Sequence, residues 1–295
     1  GNSNPEVMAH PDLIHPPAYP MLLAAGYQLF EWLNVDPFAM ELGTRIMPAE
    51  RWVVVPLNHL FTIFTGFLIF SLGKHLFYRE IGFLSMTIFY LSDVAWNQSI
   101  SGLNLAMAIF FSVAAFRSAV VAVKYQVEER NTKRFWVGFT LALISSLIAF
   151  YTRYLTVVIV PGIALYFFTM NGKFRGGTRY LFLFAALYLM GIAPWLVRNY
   201  LICGNPFGWV FHTALIDSSG FPDMSLFRDY DPVLSLKAIN SALQEKWVGN
   251  FSGKHQALIP GLGGGLLMSF FITTFFYQFI RPSINRVRNS VGLSL

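Results

Sequence analysis

Long uncharged runs alternate with short basic breaks along this chain. Residues 52–73, WVVVPLNHLFTIFTGFLIFSLG, carry no charge at all. A helix that crosses the hydrocarbon of a bilayer needs about 20 mostly apolar residues, each adding about 1.5 Å. By that measure seven spans are predicted: 52–73, 81–97, 103–123, 135–152, 154–170, 180–200 and 258–280. Residues 16–33 follow a different pattern. Pro16 and Pro17 suit a first helical turn, Gln28 and Glu31 lie on one polar edge, and Leu22, Leu23, Tyr27 and Phe30 cover the rest. That is an amphipathic helix lying at the membrane surface. The fold class is therefore expected to be all-α, a polytopic transmembrane helical bundle with juxtamembrane helices on the extracytoplasmic side. Residues 1–51 form an outer loop with a juxtamembrane helix, and 52–200 form six transmembrane helices. Residues 201–257 form a second outer loop, and 258–295 the seventh helix and a cytoplasmic end. Inside the second loop, 233–248 (VLSLKAINSALQEKWV) keep a helical apolar rhythm.

Composition strengthens this picture. The chain is 55% hydrophobic and 12% charged, whereas soluble domains average about 25% charged residues. So few charges do not cover a water-facing surface. The net charge of +6 points toward nucleic acid only until its distribution is considered. If 74–80 faces the cytoplasm, so do 124–134, 171–179 and 281 onward. Those loops hold 12 of the 21 basic residues and three acids, Glu80, Glu128 and Glu129. Such a Lys/Arg bias sets membrane orientation, so the basic excess is a topology signal and no nucleic-acid partner is expected. Trp52, Trp96, Trp136 and Trp195 fall near span ends, where amphipathic rings anchor at the interface. The expected location is the plasma (inner) membrane. The lone Cys203 allows no internal disulfide. The start at Gly1-Asn2-Ser3 and the end just after a basic segment read as cuts in a longer protein.

Four places hold candidate chemistry. In His10-Pro11-Asp12-Leu13-Ile14-His15-Pro16-Pro17-Ala18-Tyr19-Pro20 the prolines fix φ and remove donors, and the residues before them are driven toward extended geometry. His15 and Asp12 then line a polar pocket at the outer surface, or they are solvated groups in a stiff loop. Arg153 and Arg198 stand at outer span ends. An arginine fork there suits a phosphate, and the alternative is snorkelling to water. Asp93, Asn97, Gln98, Ser99, Ser101 and Asn104 cluster between two spans on the outer side, where they face a cavity or form the hydrated turn between two helices. A carboxylate at a span end needs a partner or water. Gly261-Leu262-Gly263-Gly264-Gly265 lacks the strand and the Lys-Ser/Thr of a nucleotide loop, and suits helix packing instead. The six histidines show no metal-ligand spacing, so no cofactor is identified and no metal residue is assigned. Asn97-Gln98-Ser99 and Asn250-Phe251-Ser252 match a glycosylation sequon.

Taken in order, several of these segments resemble one family. They are His15-Pro16-Pro17, Lys74-His75-Leu76-Phe77-Tyr78-Arg79-Glu80-Ile81-Gly82, the Leu91–Leu105 segment, Thr152-Arg153, and Pro194-Trp195-Leu196-Val197-Arg198-Asn199-Tyr200 with Gly204-Asn205-Pro206-Phe207. From about His10 to about Phe207 the chain resembles polytopic glycosyltransferases of the protein O-mannosyltransferase and aminoarabinose-transferase type, the GT-C class. The resemblance implies an enzyme that moves a sugar from a polyprenyl-phosphate carrier to an extracytoplasmic lipid, polysaccharide or protein acceptor, with inversion. It implies a general base on an Asp or Glu upstream of the His-Pro-Pro motif, before Gly1. Asp12 shares that side but not that position. It implies a cation at the leaving phosphate, with Arg198 the first candidate and Arg153 the second, and His15 positioning the acceptor or the carrier headgroup. It leaves a divalent metal open, and Asp93 is a candidate substrate-binding residue only by its place at a span end. Where the family commonly has Pro after Leu-Ser, this chain has Asp93. Two rivals stand beside the enzyme. One is a transporter or flippase of a lipid-linked sugar, disfavoured by the lack of an internal repeat. The other is a scaffold that uses 201–257 as a binding surface.

Overall fold

The structure is a computed structural model. It describes residues 15–33, 36, 48–127, 129–170, 174–208 and 210, with positions 237, 239–241 and 243–245. Asp12, nearly all of the second outer loop and the expected span 258–280 lie outside the described residues. Among the described residues, 17–192 belong to one compact unit, and 15–16 with those from 193 onward belong to another.

Among the described residues all regular structure is helical. The expected surface helix is α1 (Ala18–Trp32). Gln28 Nε2 donates to Glu31 Oε2 at 3.1 Å along its polar edge, as the sequence spacing predicts. A π-helical turn, Glu50–Val54, leads into α2 (Val55–Leu76). Pro56 directly follows the π-helical turn and has no N–H to bond back into it. Lys74 and His75 end the helix on the side its dipole favours.

The expected span 81–97 is divided. It forms α3 (Arg79–Tyr90) and α4 (Asp93–Ile100). The break has a local cause. Ser92 takes an extended conformation (φ −78°, ψ 123°) and Asp93 supplies the acidic residue of the first turn of α4. Ser92 makes no side-chain cap hydrogen bond, and the carboxylate of Asp93 in the first turn meets the positive end of the helix dipole, which favours a helix start there. At 12 residues, α3 rises only about 18 Å, short of the roughly 30 Å of hydrocarbon.

Among the described residues four helical stretches are long and apolar enough to cross a membrane: Glu50–Leu76, Leu105–Val127 (α5), Thr132–Thr152 (α6) and Gly177–Cys203. The last belongs to α8 (Phe174–Cys203). Between α6 and α8 lie a 3₁₀ turn, Tyr154–Val158, and α7 (Ile159–Met170), a shorter apolar stretch. The polytopic all-α bundle expected from the sequence is what the chain forms.

Packing follows membrane rules, with small residues at close helix contacts. Ala115, Ala119 and Ala122 of α5 and Ala142 of α6 are fully buried. An aromatic cluster of Phe135, Phe139, Phe167 and Phe184 fills the core beside them, with centroids 5.1 to 5.9 Å apart for neighbouring rings. At the basic end, α2 and α3 touch backbone to backbone. A Cβ on Gly73 would stand 2.7 Å from Gly82 Cα, and one on Gly82 would stand 2.5 Å from Phe70 O. Only glycine permits that approach. Hydroxyls inside the helices are satisfied locally. Thr62, Thr65, Ser112, Ser146 and Thr152 each donate to the carbonyl four residues back.

Candidate functional site opposite the basic loops

Polar side chains that tie separate elements together gather at one end of the larger unit. Tyr19, in the first turn of α1, is buried. Its hydroxyl lies 3.2 Å from both Asn58 Oδ1 of α2 and Gly102 O, and donates between them. Asn58 is fully buried and donates through Nδ2 to Leu103 O at 3.3 Å. Two residues on, Asn104 Nδ2 donates to Thr152 O at 2.7 Å. The turn 101–104 between α4 and α5 is thereby held by α1, α2 and the end of α6. Gly102 sits in it at φ +70°, a conformation costly for any residue with a side chain. Buried amides and carbonyls paired in this way fix backbone geometry, because leaving any of them unpaired is costly.

Arg153 emerges from this fixed frame. It is the C-cap of α6, extended at φ −156° and ψ 123°, and its N–H donates to Ala149 O at 2.8 Å. Its carbonyl accepts from Thr156 Oγ1 at 2.8 Å and from Thr156 N at 3.1 Å. Every backbone group of Arg153 is committed, while its half-buried guanidinium makes no hydrogen bond to a described residue. Burial raises the pKa of Tyr19 above its ordinary value of 10.0, against the pull of the Asn58 hydrogen bond. The hydroxyl therefore stays protonated and able to donate at neutral pH. Its stabilisation is complete below about pH 10 and is lost as pH rises through the raised value.

Arg198 is arranged differently. It belongs to the other compact unit, near the end of α8. Its guanidinium stacks 4.3 Å above the Trp195 ring, and Nη1 donates to Asn199 Oδ1 at 2.9 Å. Asn199 is fully buried and donates to Pro206 O at 3.3 Å. The turn Gly204-Asn205-Pro206-Phe207 thus braces the asparagine that braces the arginine. Sequence reading noted both halves of this motif; the brace between them is a structural finding.

His15, in the same unit as Arg198, is exposed. Asp93 is exposed too, and its place in the first turn of α4 accounts for it as a helix start. Tyr19, Asn58 and Asn104 as a connected set were missed from sequence. Their signal, polar residues recurring at successive span ends, becomes specific only once the ends are brought together. Among the described residues no group of three His, Cys, Asp or Glu side chains converges on a metal position.

Residues 34–197 match the model of the dolichyl-phosphate-mannose-protein mannosyltransferase family. The chain belongs to that family. The matched segment covers more than half of the 295 residues and contains Asn58, Asp93, Asn104 and Arg153. His15 lies before it, and Arg198 lies just beyond it. No curated protein and no solved structure matches the chain. The chain is a multi-pass membrane glycosyltransferase of the GT-C class, in agreement with its four membrane-length helices.

Proposed function

We propose that the protein transfers a sugar from a polyprenyl-phosphate carrier to an acceptor hydroxyl on the extracytoplasmic side, with inversion. The observation that carries this reading is Arg153. It is a cation at the end of a span whose backbone is fully tied down and whose guanidinium makes no hydrogen bond to a described residue.

The chemistry runs as follows. A carboxylate base from the outer loop preceding His15-Pro16-Pro17 takes the acceptor's hydroxyl proton. The acceptor oxygen attacks the anomeric carbon from the face opposite the carrier. The bond between that carbon and the carrier's phosphate oxygen breaks, and the phosphate leaves with the electron pair. Negative charge grows on the leaving oxygen, and a preorganised cation lowers the barrier most there. Arg153 supplies it through a planar fork matched to two phosphate oxygens. Arg198, braced by Trp195 and Asn199, binds an anionic part of a substrate within its own unit, and His15 positions substrate. The extracytoplasmic placement rests on the Lys/Arg bias, which puts Arg153 and Arg198 opposite the basic loops.

The test uses the full-length protein in liposomes with a labelled polyprenyl-phosphate sugar. Free polyprenyl phosphate should appear only when a hydroxyl acceptor is present, in step with glycosylated acceptor. Movement of the intact carrier between leaflets without cleavage would overturn this reading in favour of a transporter.

A further inference from the structure

Arg117 lies inside α5, ten residues from its end at Val127. Its neighbours Ala115, Ala119 and Val120 are buried and apolar. It is half-buried, and among the described residues its one hydrogen-bond partner is Ser71 of α2, with Nε donating to Oγ at 2.8 Å. The ion pair among the described residues is elsewhere, between Arg134 and Glu129. A cation at membrane depth without a carboxylate is costly, and such residues mark functional positions.

The surroundings say what would offset that cost. On α2 the positions 60, 64, 67, 71 and 74 fall on one stripe by helical spacing. Leu60, Phe64 and Phe67 are each about half exposed. Ser71, holding Arg117, comes next, and the exposed Lys74 follows one turn later. An apolar strip therefore runs along the α2–α5 seam and ends at two cations. The cations stand at the end of the bundle where basic residues collect. Ser71 lies five residues from the end of α2, or about 7.5 Å along its axis. A 27-residue stretch such as Glu50–Leu76 spans about 40 Å against roughly 30 Å of hydrocarbon, so Ser71 falls near the headgroup boundary.

We propose that Arg117, with Lys74, binds the phosphate of an anionic phospholipid whose acyl chain lies along Leu60, Phe64 and Phe67. The free edge of the guanidinium meets the phosphate, Ser71 fixes its angle through Nε, and Lys74 adds a point charge. The continuous apolar strip selects a lipid over a soluble phosphate. Charge bias makes this the cytoplasmic leaflet. The proposal stands independently of the glycosyl-transfer reading.

The experiment is native mass spectrometry of the full chain released from nanodiscs of equal phosphatidylglycerol and phosphatidylcholine. Wild type should retain phosphatidylglycerol at least tenfold over phosphatidylcholine. Arg117→Gln should lose most of that preference, Arg117→Lys should keep part of it, and Lys74→Gln should lower it by a smaller factor. Excess inorganic phosphate should not displace the lipid, whereas displacement would mean a soluble-anion site and would overturn the lipid assignment. Equal retention of the two lipids by wild type would overturn the proposal outright, whether or not the Arg117 variants fold. So would full preference in a folded Arg117→Gln protein.

Discussion

The two ends of the bundle are built by different means. At the basic end, α2 meets α3 through Gly73 and Gly82, with backbone against backbone. At the outer end, Tyr19, Asn58 and Asn104 reach across α1, α2, the 101–104 turn and α6 to grip carbonyls and each other. Glycine contacts bring helices close but fix little beyond distance. A side-chain amide gripping a distant carbonyl fixes a backbone angle as well. The basic end is thus built for packing, and the outer end for holding one turn and one capping residue in place. The residue so held is Arg153, on which the proposed reading rests.

The largest expected effect falls on Arg153 itself. Arg153→Ala should lower turnover by about 10²–10³-fold, the usual cost of removing a donor that meets developing charge. Arg153→Lys should recover part of it, since the charge remains and the fork is lost. Arg198→Ala should cost less turnover than Arg153→Ala, because one of its donors is already spent on Asn199. Steady-state release of polyprenyl phosphate measures all three.

At the opposite end, Gly82→Leu should leave chemistry alone and damage stability. Its side chain would meet Phe70 O and Lys74 N, and overpacking of this sort typically costs about 1–3 kcal/mol. A lowered unfolding midpoint in detergent, with unchanged turnover per folded molecule, is the expected pattern. Asn104→Ala should lower both. It leaves Thr152 O without its side-chain donor, at about 1–3 kcal/mol, and its loss should appear in turnover as well as in the midpoint. Tyr19→Phe should be the mildest, about 0.5–1.5 kcal/mol for one hydrogen bond. Because burial raises the pKa of Tyr19, wild-type and variant profiles should run parallel up to about pH 10.

Much of the scaffold was legible in the sequence because hydrocarbon imposes a simple rule. Runs such as 52–73 and 103–123 have one stable option in a bilayer, a helix that satisfies its own backbone. The run 81–97 was harder. Its apolar average hides Asp93, whose preference for a helix start outweighs the continuity of the run. Arg153 and Arg198 stood out as charges at span ends. Their supports did not, since Asn104 and Thr152 are 48 residues apart and are joined only by the packing of α5 on α6. Arg117 was overlooked because a single charge inside a long apolar run barely alters its average.

A double-mutant cycle between Asn104 and Arg153 tests the central claim most directly. Turnover of the Asn104→Ala, Arg153→Ala and double variants would be compared with wild type in the same liposomes. If the outer end exists to place Arg153, removing Asn104 should cost turnover in the wild-type background and almost none once Arg153 is gone. Equal, additive losses in both backgrounds would show that Asn104 acts without Arg153, and would contradict the account.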